Sequence, residues 1–186
     1  MNIIVKTADS RIYVRPDTTW EKNSEDLFVP PFIDSLSFTP VLFARICKPG
    51  RSITAKFASR YYDGINYGLL LYPDNIIETE GMECAACIDH TSYLPIPLYG
   101  KITLGREDNV FLLKQGRKKL FSYNEGGAAL IEQAICEASA RTFLRTGDNL
   151  AIELAPRQVL WKREDGTITV KGSYCGNDTL EFKIVA

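Results

Sequence analysis

Runs of aromatic and branched residues recur along this chain and commit most of it to β-strands. FTPVLFARI (38–46), INYGLLLY (65–72) and YGKITL (99–104) are three such runs, of the composition that suits a pleated, half-buried surface. NVFLLK and KLFSY flank the turn QGRK, while QVLWKR and TITVKG flank EDGT, where Asp165-Gly166 predicts a hairpin. Two segments carry helical spacing instead. Ser52 is placed to cap ITAKFASRYY, in which Ile53, Phe57 and Tyr61 recur every four residues. GAALIEQAICEASARTFL sets Leu130, Ala134, Ile135 and Ala138 along one stripe. That helix should stop before Thr146-Gly147-Asp148, with Arg141 and Arg145 suited to its C-terminal end. Many strands with one long and one short helix define an α+β domain that is mostly β.

The 186 residues suffice for one domain with a real core and are too few for two ordinary ones, so a single domain over 1–186 is expected. Twenty-two basic residues stand against 23 acidic ones, giving a formal net charge of −1. No global field therefore draws nucleic acid or an anionic membrane. The basic run Arg117-Lys118-Lys119 beside Gly116 reads as a solvated turn. The apolar stretch before Lys6 is too short for a signal peptide, and no later run approaches a membrane span. A cytoplasmic protein with five reduced cysteines is the expectation.

ECAACIDH (83–90) most invites a functional reading. Cys84, Cys87 and His90 offer three zinc-type ligands where a structural site takes four, and Cys47, Cys136 and Cys175 are isolated. A redox pair would want its C-x-x-C at a helix N-terminus after a strand, which the flanking sequence does not supply. Free cysteine is among the most buried residue types, so packing side chains are expected here. There is no Gly-rich phosphate loop and no G-x-S-x-G elbow, and His90 is the only histidine.

Several segments, in order, resemble the fumarylacetoacetate hydrolase superfamily, whose members hydrolyse, decarboxylate or isomerise acylpyruvate-like and oxo-acid substrates. RIYVRPDTTWEKNSEDLFVPPF resembles that family's "FxKPxtal…iP" segment. VLFARICKPGRSITAKFASRYYDGINYGLLLYPDN resembles its core strand, its Gly-x-x-Ile turn, its "A.rYYD" helix and the strand that follows. LIEQAICEASARTFLRTGDNLAIELAP resembles its late helix and "l.xGDxixTGTP". The resemblance implies the superfamily's mixed β-roll or sandwich fold and a homodimer. It also implies a magnesium or manganese ion held by a Glu-x-Glu pair and a later Asp, oxygen ligands that suit a hard cation.

The departures fall on the chemistry. Thr39 and Val41 occupy the Glu-x-Glu positions, Leu70 the Asp position, and Met82 the place of a lysine within "K.FDxxxxxG", the segment that coincides with ECAACIDH. IELAP replaces "TGTP", and the stretch before Arg11 has neither the His nor the Glu of the family's N-terminal acid/base pair, as if that extension were truncated. Together these remove the cation's Lewis acidity and the proton-transfer pair. The resemblance therefore implies a divergent member with no cofactor, its magnesium or manganese lost. It would act as a binding, interaction or regulatory module, as a homodimer or beside an intact family paralogue. The alternative is an atypical hydrolase, isomerase or tautomerase using the same cleft on acylpyruvate-like or oxo-acid substrates. Tyr62, Glu153 and Arg157 are then the pocket candidates, and Arg157 reads either as a carboxylate binder or as an exposed arginine between strands.

Overall fold

The chain, a computed structural model describing residues 1–186, places its strands in two sheets. In order along the chain these are β1 (Asn2–Lys6), β2 (Ile12–Pro16), β3 (Trp20–Glu21), β4 (Leu27–Phe28), β5 (Ser35–Ile46), β6 (Tyr62–Pro73) and β7 (Ser92–Tyr93), then β8 (Phe111–Gln115), β9 (Lys118–Tyr123), β10 (Asn149–Glu153), β11 (Gln158–Lys162), β12 (Ile168–Tyr174) and β13 (Asn177–Val185). The helices are α1 (Ala55–Ala58), α2 (Asp74–Glu80), α3 (Met82–Ala85) and α4 (Ala128–Arg141). The larger sheet runs β2-β1-β10-β5-β6-β7-β3, with β11 also paired to β5; the smaller runs β4-β13-β12-β8-β9. This is an α+β fold, mostly β. No helix is long and apolar enough to cross a membrane.

The centre of the larger sheet explains the rest. β5 and β6 pair antiparallel along their length, from Leu36 opposite Pro73 to Ile46 opposite Tyr62. Residues 36–44 and 64–73 are all buried, without the alternation of a half-exposed strand, so both faces of this sheet must be covered. On one face Phe38, Leu42, Tyr67 and Leu71 join a 33-residue core, closed by Ile131, Ala134, Ile135 and Ala138 of α4 and by Val170 and Phe182 of the smaller sheet. On the other face Val41, Phe43 and Leu70 join Ile3, Val5, Tyr72, Leu94 and Ala151 in a separate cluster of eight.

The long helix follows its predicted stripe, although Leu130 is only partly buried. Three other expectations are corrected. The shorter helix covers only Ala55–Ala58, and Ser52 does not cap it. Ser52 has φ 50°, its N–H donates to Ser139 O at 2.8 Å, and Ile53 N–H donates to Ser139 Oγ at 2.9 Å, so the segment is tied to α4 before any helix begins. YGKITL is not a strand: Tyr99 makes a single bridge to Ile65, and Lys101–Thr103 turns into a 3-10 helix, with the Lys101 ammonium 3.7 Å above the Tyr62 ring.

The Asp165-Gly166 turn does not close a hairpin either, because β11 pairs with β5 and β12 pairs with β8 and β13. The Arg163 guanidinium donates to Pro30 O and Ile33 O at 2.7 and 2.6 Å, and Trp161 Nε1 donates to Gly166 O at 2.7 Å. These bonds hold the turn as a crossing between the sheets. Helices α2 and α3, joined by Gly81 at φ 98°, are additional to the predicted pair.

Gly68 on β6 lets β7 approach closely: a Cβ there would sit 2.1 Å from Tyr93 O. Gly68→Ala should therefore lower stability by about 3 kcal/mol, at the upper end of overpacking costs. Urea unfolding should show this as a lower midpoint at unchanged slope.

Candidate active site

Strand register decides which side chains meet on the outer face of the larger sheet. Side chains alternate along a strand, so Thr39 and Val41, Leu70 and Tyr72, Ala151 and Glu153, and Tyr13 and Arg15 project to one side. Pairing of Thr39 with Leu70, Val41 with Glu153, and Val5 with Tyr13 brings them together. The apolar cluster fills the base of this surface, and a polar layer lies over it. Tyr72 Oη donates to Glu153 Oε1 at 2.6 Å and stands 2.6 Å from Tyr13 Oη. Each phenol has one proton, and that of Tyr72 goes to Glu153, so Tyr13 is the donor in the second contact. The result is a relay from Tyr13 through Tyr72 to Glu153. Thr39 Oγ1 adds a 3.3 Å bond to the same carboxylate oxygen, and Ala8 N–H reaches Oε2 at 3.2 Å.

These groups line a cleft of about 460 Å³, with Met82 and Pro156 in its wall and two guanidiniums, Arg11 and Arg157, at its rim. Arg11 is paired with Asp9, Nε to Oδ2, at 2.9 Å. Arg157 lies 5.7 Å from the centre of the Tyr72 ring and 4.0 Å from Asp74 Oδ1. Asp74 is itself held by the Ser37 and Ser35 hydroxyls at 2.8 and 3.2 Å.

Beneath the relay, Arg15 is fully buried and donates to Thr91 O, Ser92 Oγ and Leu71 O at 2.7–2.9 Å. Its guanidinium stacks 4.6 Å from the centre of the Tyr72 ring, and no carboxylate is among its hydrogen-bond partners. Burial pushes the Tyr72 phenol well above its ordinary pKa, against the opposing pull of Arg15. Burial also raises Tyr13, again opposed by Arg15. Both phenols are therefore donors at neutral pH. At the rim, hydrogen bonds from Thr7 and Arg11 hold the Asp9 carboxyl below its ordinary value.

Of the positions picked from the sequence, Thr39, Met82, Glu153 and Arg157 line the cleft. Val41 and Leu70 lie under it, fully buried in the apolar cluster. Tyr62 lies elsewhere, at the start of β6 beneath Lys101. Tyr13, Tyr72, Arg11 and Arg15 are the residues that sequence reasoning missed. A signal for Tyr72 was present, since it stands two residues beyond Leu70 on the same strand and so on the same face.

ECAACIDH is also corrected. Ala85 and Ala86 take the interior, whereas Cys84 and Cys87 are exposed rather than packed. They sit three residues apart on and just after the single turn of α3, which turns both outward. His90 Nδ1 lies 3.1 Å from Glu21 Oε2.

The fold is that of the fumarylacetoacetate hydrolase superfamily. The fumarylpyruvate hydrolase of Pseudomonas aeruginosa, solved with Mn2+ and pyruvate, superposes with a TM-score of 0.81 at 14% identity, covering 100% of this chain and 89% of that one. A Yersinia pestis protein assigned to the fumarylacetoacetate hydrolase family gives 0.80 at 14% identity, over 99% and 92% of the two chains. The 5-carboxymethyl-2-hydroxymuconate delta-isomerase of Mycobacterium smegmatis gives 0.79 at 16%, over 99% and 78%. At such identities the likeness is one of fold. No sequence model of a family matches the chain, and no curated protein matches it significantly.

The Pseudomonas structure corrects the expectation of no cofactor, because a protein of this fold is in complex with Mn2+ and pyruvate. Counting carboxylates at positions 39, 41 and 70 overlooked the oxygens of Glu153, Thr39 and Tyr72 in the same cleft. The donors of this chain do not, however, make the shell such an ion takes. No three His, Cys, Asp or Glu residues are placed to hold a metal, and Val41 and Leu70 supply only hydrocarbon.

The raised phenols set the pH dependence. An unfolded tyrosine ionises near pH 10, whereas folded Tyr13 and Tyr72 hold their protons higher. Their contribution to stability is complete below pH 10 and is lost as pH rises through the folded values. Thermal melts should fall above pH 10, and less steeply in Tyr72→Phe, with phenol ionisation followed by ultraviolet absorbance.

Proposed function

We propose that the cleft performs proton transfer on a small oxo acid, in the manner of an isomerase or tautomerase. The observation that carries this reading is the 2.6 Å bond from Tyr72 to Glu153 under a rim bearing two guanidiniums. Glu153 is the general base. It removes the proton from the carbon next to the carbonyl, the C–H electron pair becomes the new C=C bond, and the carbonyl oxygen becomes the enolate oxygen. Return of that proton to a different atom of the enolate completes an isomerisation. Tyr72 and Thr39 fix the orientation of the carboxylate through Oε1. Arg157 is the cation available to the substrate's carboxylate and to the charge developing on its oxygen. The isomerase and hydrolases that share this fold support the choice of chemistry.

The reaction is followed as exchange of the methyl protons of pyruvate for deuterium, by NMR, with added Mn2+ and after chelation. The protein should accelerate exchange above the buffer rate in both conditions, and Glu153→Gln should slow it on the order of 10²-fold or more. Tyr72→Phe should give a smaller loss. Exchange at the buffer rate, or equal rates for Glu153→Gln and the unmodified protein, refutes the assignment.

A further inference from the structure

A second cavity, of about 370 Å³, opens from the wall of the cleft and shares Thr7, Arg11, Tyr13 and Met82 with it. Past that junction the lining changes character. Ile12 and Val14 come from β2, the edge strand of the larger sheet, and Ala86 and Cys87 from the end of α3. The polar end holds Glu153, Thr39 and Arg157; the arm leading away from it is hydrocarbon, thioether and thiol. Two charged groups border the arm. Arg11 is already paired with Asp9, and the other is the exposed carboxylate of Glu83.

We propose that the cleft takes an oxo acid with a single carboxylate and an unbranched apolar tail, the head at Glu153 and Arg157 and the tail between β2 and α3. This rests on the oxo-acid reading above and adds the class of substrate. A second carboxylate at the far end of the ligand would lie against Glu83, and the one cation bordering the arm, Arg11, is paired with Asp9, whereas a hydrocarbon chain meets Met82, Ala86 and the edge of β2 at Ile12 and Val14. Met82 stands at the junction, and its flexible thioether can follow chains of different length.

Isothermal calorimetry with straight-chain 2-oxo monocarboxylates, from pyruvate to 2-oxooctanoate, and with 2-oxoglutarate tests the assignment. Affinity should rise about three- to fourfold per methylene, and 2-oxoglutarate should bind more weakly than 2-oxohexanoate. Val14→Asp places a charge on a partly exposed position of the arm. It should keep the affinity for pyruvate, which also reports that the variant is folded, and lose the rise with chain length. Met82→Lys should flatten the rise in the same way. A flat series, tighter binding of 2-oxoglutarate, or a rise that survives both substitutions overturns the apolar arm while pyruvate binding leaves the oxo-acid reading standing. Failure of every 2-oxo acid to bind the unmodified protein overturns both.

Discussion

The two central strands of the larger sheet bury both of their faces, and most of the architecture answers that demand. Apolar side chains from β5 and β6 point alternately into the main core and into the smaller cluster on the opposite side. Covering the first face takes the smaller sheet and α4. The second is covered less completely, by the short helices after β6, whose Ile77 and Met82 pack on the smaller cluster. A cleft remains where this cover stops, and its floor is the top of the apolar cluster. The position of the candidate site is thus set by where the hydrophobic cover ends rather than by any local sequence motif.

Much of the fold was legible because the strands and the long helix carry their periods in their own residues. The stripe Ala134, Ile135 and Ala138 is buried as its spacing indicates, and the QGRK turn joins β8 to β9. What misled was long-range. Asp165-Gly166 has the local chemistry of a hairpin turn, but Arg163 and Trp161 bind backbone carbonyls that carry the chain from one sheet to the other. Ser52 has the residue type of a cap, but Ser139, eighty-seven positions away in the sequence, takes its backbone. No window around either residue contains the partner that decides its role.

The candidate site was half legible for the same reason. Glu153, Arg157, Thr39 and Met82 follow from segment order, while Tyr13 and Tyr72 come from strands whose adjacency only the register reveals. Cys84 and Cys87 drew attention by their spacing, yet in one helical turn that spacing merely places two thiols on one exposed side. The hydrocarbon at positions 41 and 70 is easier to understand as part of a cluster than as a pair of substitutions. Side chains buried that fully must match one another in volume, so neither position can take a carboxylate alone without leaving a charge among apolar neighbours.

Arg15 gives the site and the core a shared electrostatic balance. It is a cation sealed in the interior among neutral acceptors, and the Tyr72 ring on which it stacks is hydrogen-bonded to the carboxylate of Glu153. A buried charge without a compensating neighbour is costly. The carboxylate proposed as the base therefore sits one tyrosine ring away from the buried cation, and a substrate anion settling in the cleft would add to the negative charge that this cation faces. Occupancy of the cleft and cohesion of the sheet beneath it are then not separate properties of this molecule.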